Sequence, residues 1–317
     1  MDSMPQPFIS ICIPAYKRTL YLTRLLNSIE VQSYKNFEVV VTDDSDDEQV
    51  ADLCKTFASS FTLHYYKNPL QLGAAANWNQ CLGLGSSEWL KIMHDDDWFA
   101  TNDSLAKFAE ATKKDIKFIW SNYFARNENT QKVFTKNESE AKVLDSIKNP
   151  FLLFGDNVVG PPTTVLIHKS VPVKYDVSMV WLVDIDYFIN ALLHEHEGYY
   201  IHEPLVYFSY NDSQVTNLHF NNKSTEIHEA MILWHKHGAK MISGTADYSA
   251  WWRLVRNLKI NSLQDFNLYA QGLDAPDFIA DIISFQKNIP RPILKNPVFS
   301  KVFMLFCYYL KYSKSLR

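Results

Sequence analysis

The chain has 317 residues, of which 47% are hydrophobic and 21% charged, a composition typical of a folded protein with one large domain or two modest ones. The net charge is −4, but residues 282–317 contain seven basic and no acidic residues, which leaves 24 basic and 35 acidic residues in the first 281. This acidic balance argues against nucleic acid as the main partner, because binding to phosphates requires a basic face.

Cysteine spacing and the N-terminal sequence indicate the compartment. The four cysteines, Cys12, Cys54, Cys81 and Cys307, lack the close pairs of a disulfide scaffold or a structural zinc site. The first residues, MDSMPQPFIS, lack the basic and long apolar regions of a signal peptide. We therefore expect a cytoplasmic protein in a reducing environment.

The first hundred residues alternate short apolar runs with segments of helical periodicity. The sequence FISICIPAY (8–16) predicts a buried strand, LYLTRLLNSIEVQS a helix with one apolar face, and NFEVVVTDDSDDE a second buried strand. The alternation continues with the helix DEQVADLCKTFAS, the strand FTLHYYKN, the helix GAAANWNQCLGLGS and the strand EWLKIMHDDD. Four strands joined by three helices predict an α/β fold with a doubly wound, mostly parallel sheet flanked by helices.

Polar side chains follow three of these strands where each strand ends. Tyr16 follows the first strand, Asp43 and Asp44 end the second, and Asp95–Asp97 follow the fourth. Ligands of doubly wound sheets bind at the carboxyl ends of the strands. Neighbouring carboxylates raise one another's pKa, and a bound divalent cation removes that penalty. The triplet therefore predicts a metal site, and the alternative is a solvated acidic turn.

The next hundred residues predict further elements of the same domain. SLAKFAEATKK is a helix, IKFIWSNY a strand, residues 127–142 a mobile polar loop, and VVGPPTTVLIHKS a turn that leads into a strand. VWLVDIDYFINALLHE predicts a helix with Asp184 and Asp186 near its start, and GYYIHEPLVYFSYN predicts one or two strands. Only helical patterns follow, so we expect a domain over residues 1–216 and a C-terminal helical region over 217–317.

Seven of these segments occur in the order and spacing of a known family. They are SICIPAYKR, VVVTDDSDDE, NPLQLGAAANWNQCL, LKIMHDDDW, GPPTTVLIHKS, WLVDIDYF and LVYFSYNDSQVT, and they span roughly residues 8–216. Over this range the chain resembles the family 2 glycosyltransferases of GT-A fold, the inverting enzymes that build bacterial surface polysaccharides. The resemblance implies transfer of a sugar from a nucleotide-diphosphate donor, expected to be a UDP or dTDP sugar, to a glycan acceptor.

The resemblance also implies where the nucleotide binds. Tyr16 would supply an aromatic platform for a pyrimidine ring and Asp43 an acceptor for its ring N–H, beside backbone groups of Pro14 and Ala15. Taken singly, Tyr16 can equally be a boundary aromatic residue and Asp43 a turn former. Further expected nucleotide contacts are Asp44, Gly73, Asn77 and Asp95.

The acidic triplet matches the metal motif of that family. By position, Asp96 corresponds to the principal metal carboxylate, with Asp95 toward the ribose or the metal and Asp97 as the remaining acid. The expected ion is Mn²⁺ or Mg²⁺, which neutralises the departing diphosphate as a Lewis acid. The alternative phase, in which Asp95 and Asp97 are the two functional positions, stays open.

The start of the later helix carries the expected catalytic base. Asp184 aligns with the general base of the family, and Asp186 is the second candidate. Because the two residues are two positions apart at a helix start, their side chains point in different directions and only one can face the donor. The alternative role for either residue is the N-cap of the helix.

Two segments depart from the family pattern. Val183 precedes Asp184 where an acid is usual, and Ser209 and Asn211 stand where the family often carries Arg and His. The residues considered as substitutes for the missing ligand or cation are His202, which is also interpreted as a structural histidine, His219 and Lys223.

The C-terminal sequence NPVFSKVFMLFCYYLKYSKSLR combines aromatic residues with lysines, and its uncharged stretch 302–310 is too short to span a bilayer. It predicts either peripheral contact with the inner face of the cell membrane or a helix packed on the body or in a dimer. We expect a lipid-linked acceptor, such as an undecaprenyl-linked glycan of O-antigen, capsule or exopolysaccharide synthesis. The rival interpretations are a non-catalytic sugar-nucleotide-binding protein and a nucleotidyltransferase, although PAYKRTLY lacks the glycine-rich phosphate loop of the latter.

Overall fold

A computed structural model describes residues 8–210 and 221–311. The chain forms two compact units, one made of Met1–Pro150 and Val158–Asp212 and the other of Phe151–Asn157 and Ser213–Arg317. The domain boundary predicted after residue 216 lies in the range 211–220, outside the described residues, and stays a prediction.

The first unit is built on a sheet, and its described strands are Ile9–Ala15 (β1), Phe37–Asp43 (β2), Leu63–Lys67 (β3), Trp89–Ile92 (β4), Trp98–Phe99 (β5), Phe118–Asn127 (β6), Val133–Thr135 (β7), Val165–His168 (β8) and Tyr199–Tyr210 (β9). The strand order is β3-β2-β1-β4-β8-β6-β9-β5, with β7 paired to β6. Strands β1 to β4 run parallel to one another, β6 runs parallel to β9, and β8 pairs antiparallel with β4 and β6. The predicted α/β architecture with a mostly parallel sheet is confirmed.

Helices flank the sheet in the first unit, and those described are Thr19–Glu30 (α1), Gln49–Phe57 (α2), Ala74–Leu84 (α3), Ser104–Ala111 (α4), Glu140–Lys148 (α5) and Val183–Glu195 (α6). Every residue of β1 and β2 is buried, which explains their continuous apolar sequences. On α1 the buried residues are Leu22, Leu25, Leu26 and Ile29, the face that the helical spacing predicts.

The prediction of a mobile loop over residues 127–142 is wrong. Strand β7 extends the sheet there by pairing antiparallel with the end of β6, from Phe124 opposite Thr135 to Arg126 opposite Val133. Helix α5 then begins at Glu140, where the Ser139 hydroxyl accepts a hydrogen bond from the Lys142 backbone N–H at 3.3 Å. A three-residue strand carries no periodicity of its own, so its pairing with β6 was not visible in the sequence.

The described part of the second unit is helical. After residue 220 its helices are Lys223–His237 (α7), Thr245–Asn257 (α8), Leu263–Ala270 (α9), Asp277–Lys287 (α10), Arg291–Lys295 (α11) and Pro297–Lys311 (α12). Its core is rich in aromatic side chains, including the fully buried Tyr248, Trp251, Trp252 and Phe266. Within the described ranges, no helix combines the length and the apolar character needed to cross a bilayer.

Candidate active site

The candidate site lies where β2, β1 and β4 end side by side. Ala15, the last residue of β1, is in register with Asp43 of β2, and the Met93 N–H after β4 donates to the Cys12 carbonyl at 2.9 Å. The Tyr16 N–H donates to Asp95 Oδ2 at 3.1 Å, which joins the β1 end to the acidic triplet. The polar groups predicted at three strand ends therefore share one edge of the sheet.

The turn after β1 places the Arg18 guanidinium against the triplet. Lys17 has a φ of 61°, in the left-handed region, and its N–H donates to the Ser45 hydroxyl at 2.8 Å. The next residue, Arg18, forms a fork: one guanidinium nitrogen lies 2.6 Å from Asp96 Oδ2, and the other contacts Asp95. The Arg18 side chain is 43% exposed, so this cation reaches the buried acids from the solvent side.

The triplet itself is buried, and the interpretation as a solvated acidic turn is wrong. Asp95, Asp96 and Asp97 are at most 7% exposed. Burial raises the pKa of Asp95 to about 7, with a further contribution from Asp96 that the Arg18 charge opposes. Burial and the Asp96 charge likewise raise the pKa of Asp97 well above its usual range.

Asp97 is fixed by contacts from distant parts of the chain. The Ser209 N–H donates to Asp97 Oδ1 at 2.9 Å, and the Thr163 hydroxyl donates to Asp97 Oδ2. Beneath them the fully buried Lys91 ammonium donates to the Thr163 carbonyl. Burial lowers the pKa of Lys91 to about 7, so this lysine is easily neutralised.

One ring nitrogen of His94 and one carboxylate oxygen each from Asp96 and Asp97 lie within 4.8 Å of one another. The His94 Nε2 atom is buried and has no hydrogen-bond partner, and burial lowers the pKa of this histidine to about 4. A neutral imidazole and two carboxylates form a donor set for a divalent metal, and of the two expected ions Mn²⁺ accepts a nitrogen ligand more readily than Mg²⁺. The residues present therefore fit a divalent metal.

Asp43 and Asp44 each accept several hydrogen bonds from neighbouring parts of the chain. Asp43 accepts from the Ser45 N–H at 2.9 Å, the Tyr65 hydroxyl at 2.7 Å and the Lys67 ammonium at 3.0 Å. Burial alone would raise the pKa of Asp43, but these hydrogen bonds outweigh it and the pKa is lowered.

Asp44 holds the loop that precedes α3. It accepts from the N–H groups of Leu72 at 2.7 Å and Gly73 at 2.9 Å, and from the Asn68 amide at 2.9 Å. Gly73 has a φ of 84°, which requires glycine at this position. Asn77 is buried in α3 and its side-chain oxygen accepts from Asn68 at 3.0 Å. The expected nucleotide contacts of Asp44, Gly73 and Asn77 stay predictions.

Tyr16, directly after β1, is 41% exposed, whereas Pro14 and Ala15 are the last, buried residues of β1. A ring with an open face beside strand-end backbone groups is a suitable platform for a planar base. The predicted stacking on Tyr16 and the predicted contact of a base with Asp43 remain untested predictions.

Helix α6 begins at Val183, so Asp184 and Asp186 lie in its first turn. The N-cap residue is Leu182, which corrects the interpretation of either aspartate as the cap. Asp184 is partly exposed and its carboxylate accepts from the Ile185 N–H at 2.9 Å, whereas Asp186 is buried. Only Asp184 therefore combines this position with access to solvent.

A row of rings leads from His94, one of the three candidate metal ligands, toward α6. The rings of His94 and Trp78 are 4.6 Å apart, those of Trp78 and Tyr175 are 5.0 Å apart, and Tyr175 stacks on Tyr187 of α6 at 4.1 Å. Burial, the neighbouring Tyr187 and the charge of Asp184 together raise the pKa of Tyr175 well above its usual range. Packed aromatic side chains thus connect the candidate metal ligand His94 to the start of α6.

The residues at which the sequence departs from the family pattern have different surroundings. Ser209 lies in the site, with its N–H on Asp97 and its hydroxyl 3.0 Å from Glu128. His202 is exposed with its ring against Tyr200 at 4.8 Å, and Lys223 pairs with Asp265 at 3.1 Å in the second unit. Asn211 and His219 lie outside the described residues.

Sequence reasoning missed His94, Arg18 and Thr163. His94 directly precedes the triplet and Arg18 follows Tyr16 by two residues, so each was close to a predicted position. Proximity in sequence was the available signal for both. Thr163 lies 66 residues from its partner Asp97, and nothing local in the sequence indicates that contact.

Comparisons with known proteins agree with this architecture. The family described as Glycosyl transferase family 2 matches residues 10–174, more than half of the chain. The UDP-Glc:alpha-D-GlcNAc-diphosphoundecaprenol beta-1,3-glucosyltransferase WfgD of Escherichia coli is 25% identical over 127 residues, which cover 40% of this chain and 50% of that protein.

Solved structures share the fold at low sequence identity. S. aureus TarS in complex with UDP-GlcNAc gives a TM-score of 0.55 at 14% identity, over 88% of this chain and 91% of that chain. The mannosyltransferase PcManGT from Pyrobaculum calidifontis, in complex with GDP-Man and Mn²⁺, gives 0.50 at 12% identity, over 99% of this chain and 90% of that chain. The chain belongs to glycosyl transferase family 2 and is a glycosyltransferase of GT-A fold.

Proposed function

We propose that this glycosyltransferase moves a sugar from a UDP or dTDP donor to a lipid-linked glycan with inversion at the anomeric carbon. The observation that carries the proposal is the meeting of Tyr16, His94 and Asp95–Asp97 at one sheet edge. Family membership favours it over the non-catalytic binding protein and the nucleotidyltransferase considered from the sequence.

The donor's base would stack on Tyr16, with Asp43 as the acceptor for a ring N–H and the backbone of Pro14 and Ala15 beside it. The exposed ring and the strand-end position of these residues support this assignment. Asp95, whose carboxylate contacts the Tyr16 N–H, lies between this base site and the rest of the triplet. It is therefore suited to contact the ribose or the metal.

His94, Asp96 and Asp97 would hold Mn²⁺ or Mg²⁺, with Mn²⁺ favoured by the imidazole ligand. The ion would supply Lewis-acid neutralisation of the charge that develops on the diphosphate as it leaves. The low pKa of His94 keeps its ring neutral and able to donate a lone pair near neutral pH.

Asp184 would act as the general base in a single displacement. It would take the proton of an acceptor hydroxyl while that oxygen forms a bond to the anomeric carbon and the bond to the diphosphate breaks. Its partial exposure in the first turn of α6 supports the assignment over the buried Asp186.

The proposed acceptor is a lipid-linked glycan. It is supported by the similarity to a glucosyltransferase whose name gives a diphosphoundecaprenol-linked acceptor. An undecaprenyl-linked glycan would assign the chain to O-antigen, capsule or exopolysaccharide synthesis. We expect the chain to reach such an acceptor through peripheral contact with the membrane.

The test has two stages. A thermal-shift panel of UDP, dTDP and GDP sugars, each with and without Mn²⁺, identifies the donor, because selective binding raises the melting temperature. Sugar transfer to undecaprenyl-diphosphate GlcNAc and donor hydrolysis are then measured for the parent, Asp184→Asn and Asp186→Asn. We expect Asp184→Asn to lose about a thousandfold in both rates while keeping donor binding. Parental rates in Asp184→Asn would contradict its role as base.

A further inference from the structure

The last described helix, α12, packs one face into the second unit. The Tyr248 hydroxyl lies 3.3 Å from Cys307 Sγ, and the Trp252 indole N–H donates to the Ser300 hydroxyl at 3.0 Å. The buried residues of α12 are Ser300, Met304, Cys307 and Tyr308. Their spacing of four, three and one residues places them on a single helical face. This face packs against the rest of the second unit.

The opposite face of α12 is also apolar, yet it is open. Its large hydrophobic side chains are each between 54% and 70% exposed, and they are Val298, Phe299, Val302, Phe306, Tyr309 and Leu310. Six such side chains on 15 residues form a contiguous stripe rather than isolated exposures. A helix that is apolar on both faces normally has both covered, so this stripe indicates a partner.

Charge selects the kind of partner. From residue 282 to residue 311 the chain carries Lys287, Arg291, Lys295, Lys301 and Lys311 and no acidic residue. All five are exposed, and Lys311 lies 3.1 Å from Asp281. A second copy of the chain docked through this face would bring two basic segments together, whereas an anionic surface would complement them.

We propose that the outer face of α12 lies flat on an anionic lipid bilayer. The apolar stripe enters the boundary between headgroups and acyl chains, and the flanking lysines and arginine remain among the anionic headgroups. At about 1.5 Å per residue, the 15 residues of α12 are shorter than the roughly 30 Å hydrocarbon core, so the helix lies on the membrane rather than crossing it. The proposal rests on the second unit alone and does not depend on the donor or the chemistry.

The test is flotation of the full chain with vesicles of phosphatidylcholine alone or of equal parts phosphatidylcholine and phosphatidylglycerol. We expect binding to the mixed vesicles only. Binding should weaken steeply as salt is raised from about 0.1 M to about 1 M, where the screening length falls from about 10 Å to about 3 Å.

Two variants separate the contributions of charge and apolar contact. Lys295→Glu with Lys301→Glu should lower vesicle affinity at least about 30-fold, since each lost basic charge is worth about fivefold. Val302→Ser with Phe306→Ser should abolish flotation at any salt concentration. The matched controls are Lys240→Glu with Lys259→Glu for charge and Leu268→Ser for apolar exposure, all at exposed positions of the second unit outside α12.

Several outcomes would overturn the proposal. One is that the full chain does not float with anionic vesicles. Another is that the α12 variants float like their controls. A third is sedimentation showing a dimer that Val302→Ser with Phe306→Ser dissociates, because a second copy would then cover the face. The lysine variants alter only exposed side chains, so their circular dichroism and melting temperature should match those of the parent.

Discussion

Two pairs of aspartates at one sheet edge look alike in sequence and differ in physical state. At the end of β2, Asp43 and Asp44 accept hydrogen bonds from their own strand neighbours and the next loop, and the pKa of Asp43 is lowered. After β4, Asp95 and Asp97 are equally buried but have raised pKa values. The hydrogen bonds at the β2 end thus favour its ionised carboxylates, whereas burial and mutual repulsion disfavour ionisation at the β4 end, a cost that a bound cation would lower.

Removing a carboxylate from the β4 end should have the largest effect on catalysis. For Asp96→Ala we expect a loss of about a thousandfold in turnover, or about 4 kcal/mol, because a proposed metal ligand is lost. The measurement is the transfer rate with saturating donor over a Mn²⁺ titration. The control is Asp46→Ala, which removes an exposed acid paired with Lys17. An equal loss in both variants would show that net charge, not the site, is responsible.

Removing the charge at the β2 end should instead reduce stability. Asp44→Asn leaves one oxygen to accept from the N–H groups of Leu72 and Gly73, and we expect a loss of about 2 kcal/mol in the free energy of unfolding. Denaturant titration measures it, and the Mn²⁺ dependence of activity should be unchanged. A variant with parental stability and weakened donor binding would contradict this and favour the nucleotide contact predicted from the sequence.

Lys91 provides a test by pH, since it lies beneath the β4 end. Its pKa is about 7 in the folded chain and about 10 when unfolded, so the unfolded state binds more protons between these values and stability rises with pH there. Below about pH 7 the cost of burying the charge is present in full. The free energy of unfolding of Lys91→Met should therefore be about 1.5 kcal/mol higher than that of the parent at pH 6. This difference should shrink toward pH 10.

Denaturant titrations of parent and Lys91→Met at several pH values measure that difference. The exposed Lys35→Met is the control and should show no such trend. A Lys91→Met protein that is less stable at every pH would mean that the buried ammonium serves as a needed counter-charge to Asp97.

The smallest expected effect concerns the cation that already contacts the triplet. Because Arg18 binds Asp95 and Asp96, it competes with a metal ion for the same carboxylates. Arg18→Gln should bind Mn²⁺ about fivefold more tightly in the absence of donor, measured by titration calorimetry. Lys17→Gln, which removes a charge paired with Asp46, is the control. Weaker Mn²⁺ binding in Arg18→Gln would show that the arginine orients the acids rather than competing for them.

The sequence predicts the sheet better than the site for a physical reason. Strands β1 and β2 are buried along their whole length and are mostly apolar, a local property that is readable from a few residues. The state of each aspartate instead depends on remote partners. Asp44 bonds to residues 28 and 29 positions away, and Asp97 bonds to Ser209 at a separation of 112.

The same distinction explains why His94 was missed. His94 was adjacent to the triplet, but only the fold shows that its Nε2 is buried without a partner and that its ring lies against Trp78. The N-cap alternative for the two aspartates was wrong because the helix begins at Val183. Leu182 is therefore the N-cap residue, and both aspartates lie inside the first turn.

The positive φ of Lys17 makes the turn after β1 strict in length and selective for residues that adopt a left-handed backbone. Its backbone reverses the chain so that Tyr16 and Arg18 both reach the triplet, while its own side chain points to the exposed Asp46. An insertion or deletion here would displace both neighbours in one step, whereas glycine or asparagine suits the dihedral angles. Variant libraries at this turn should therefore keep the number of residues fixed and limit position 17 to residues that tolerate a positive φ.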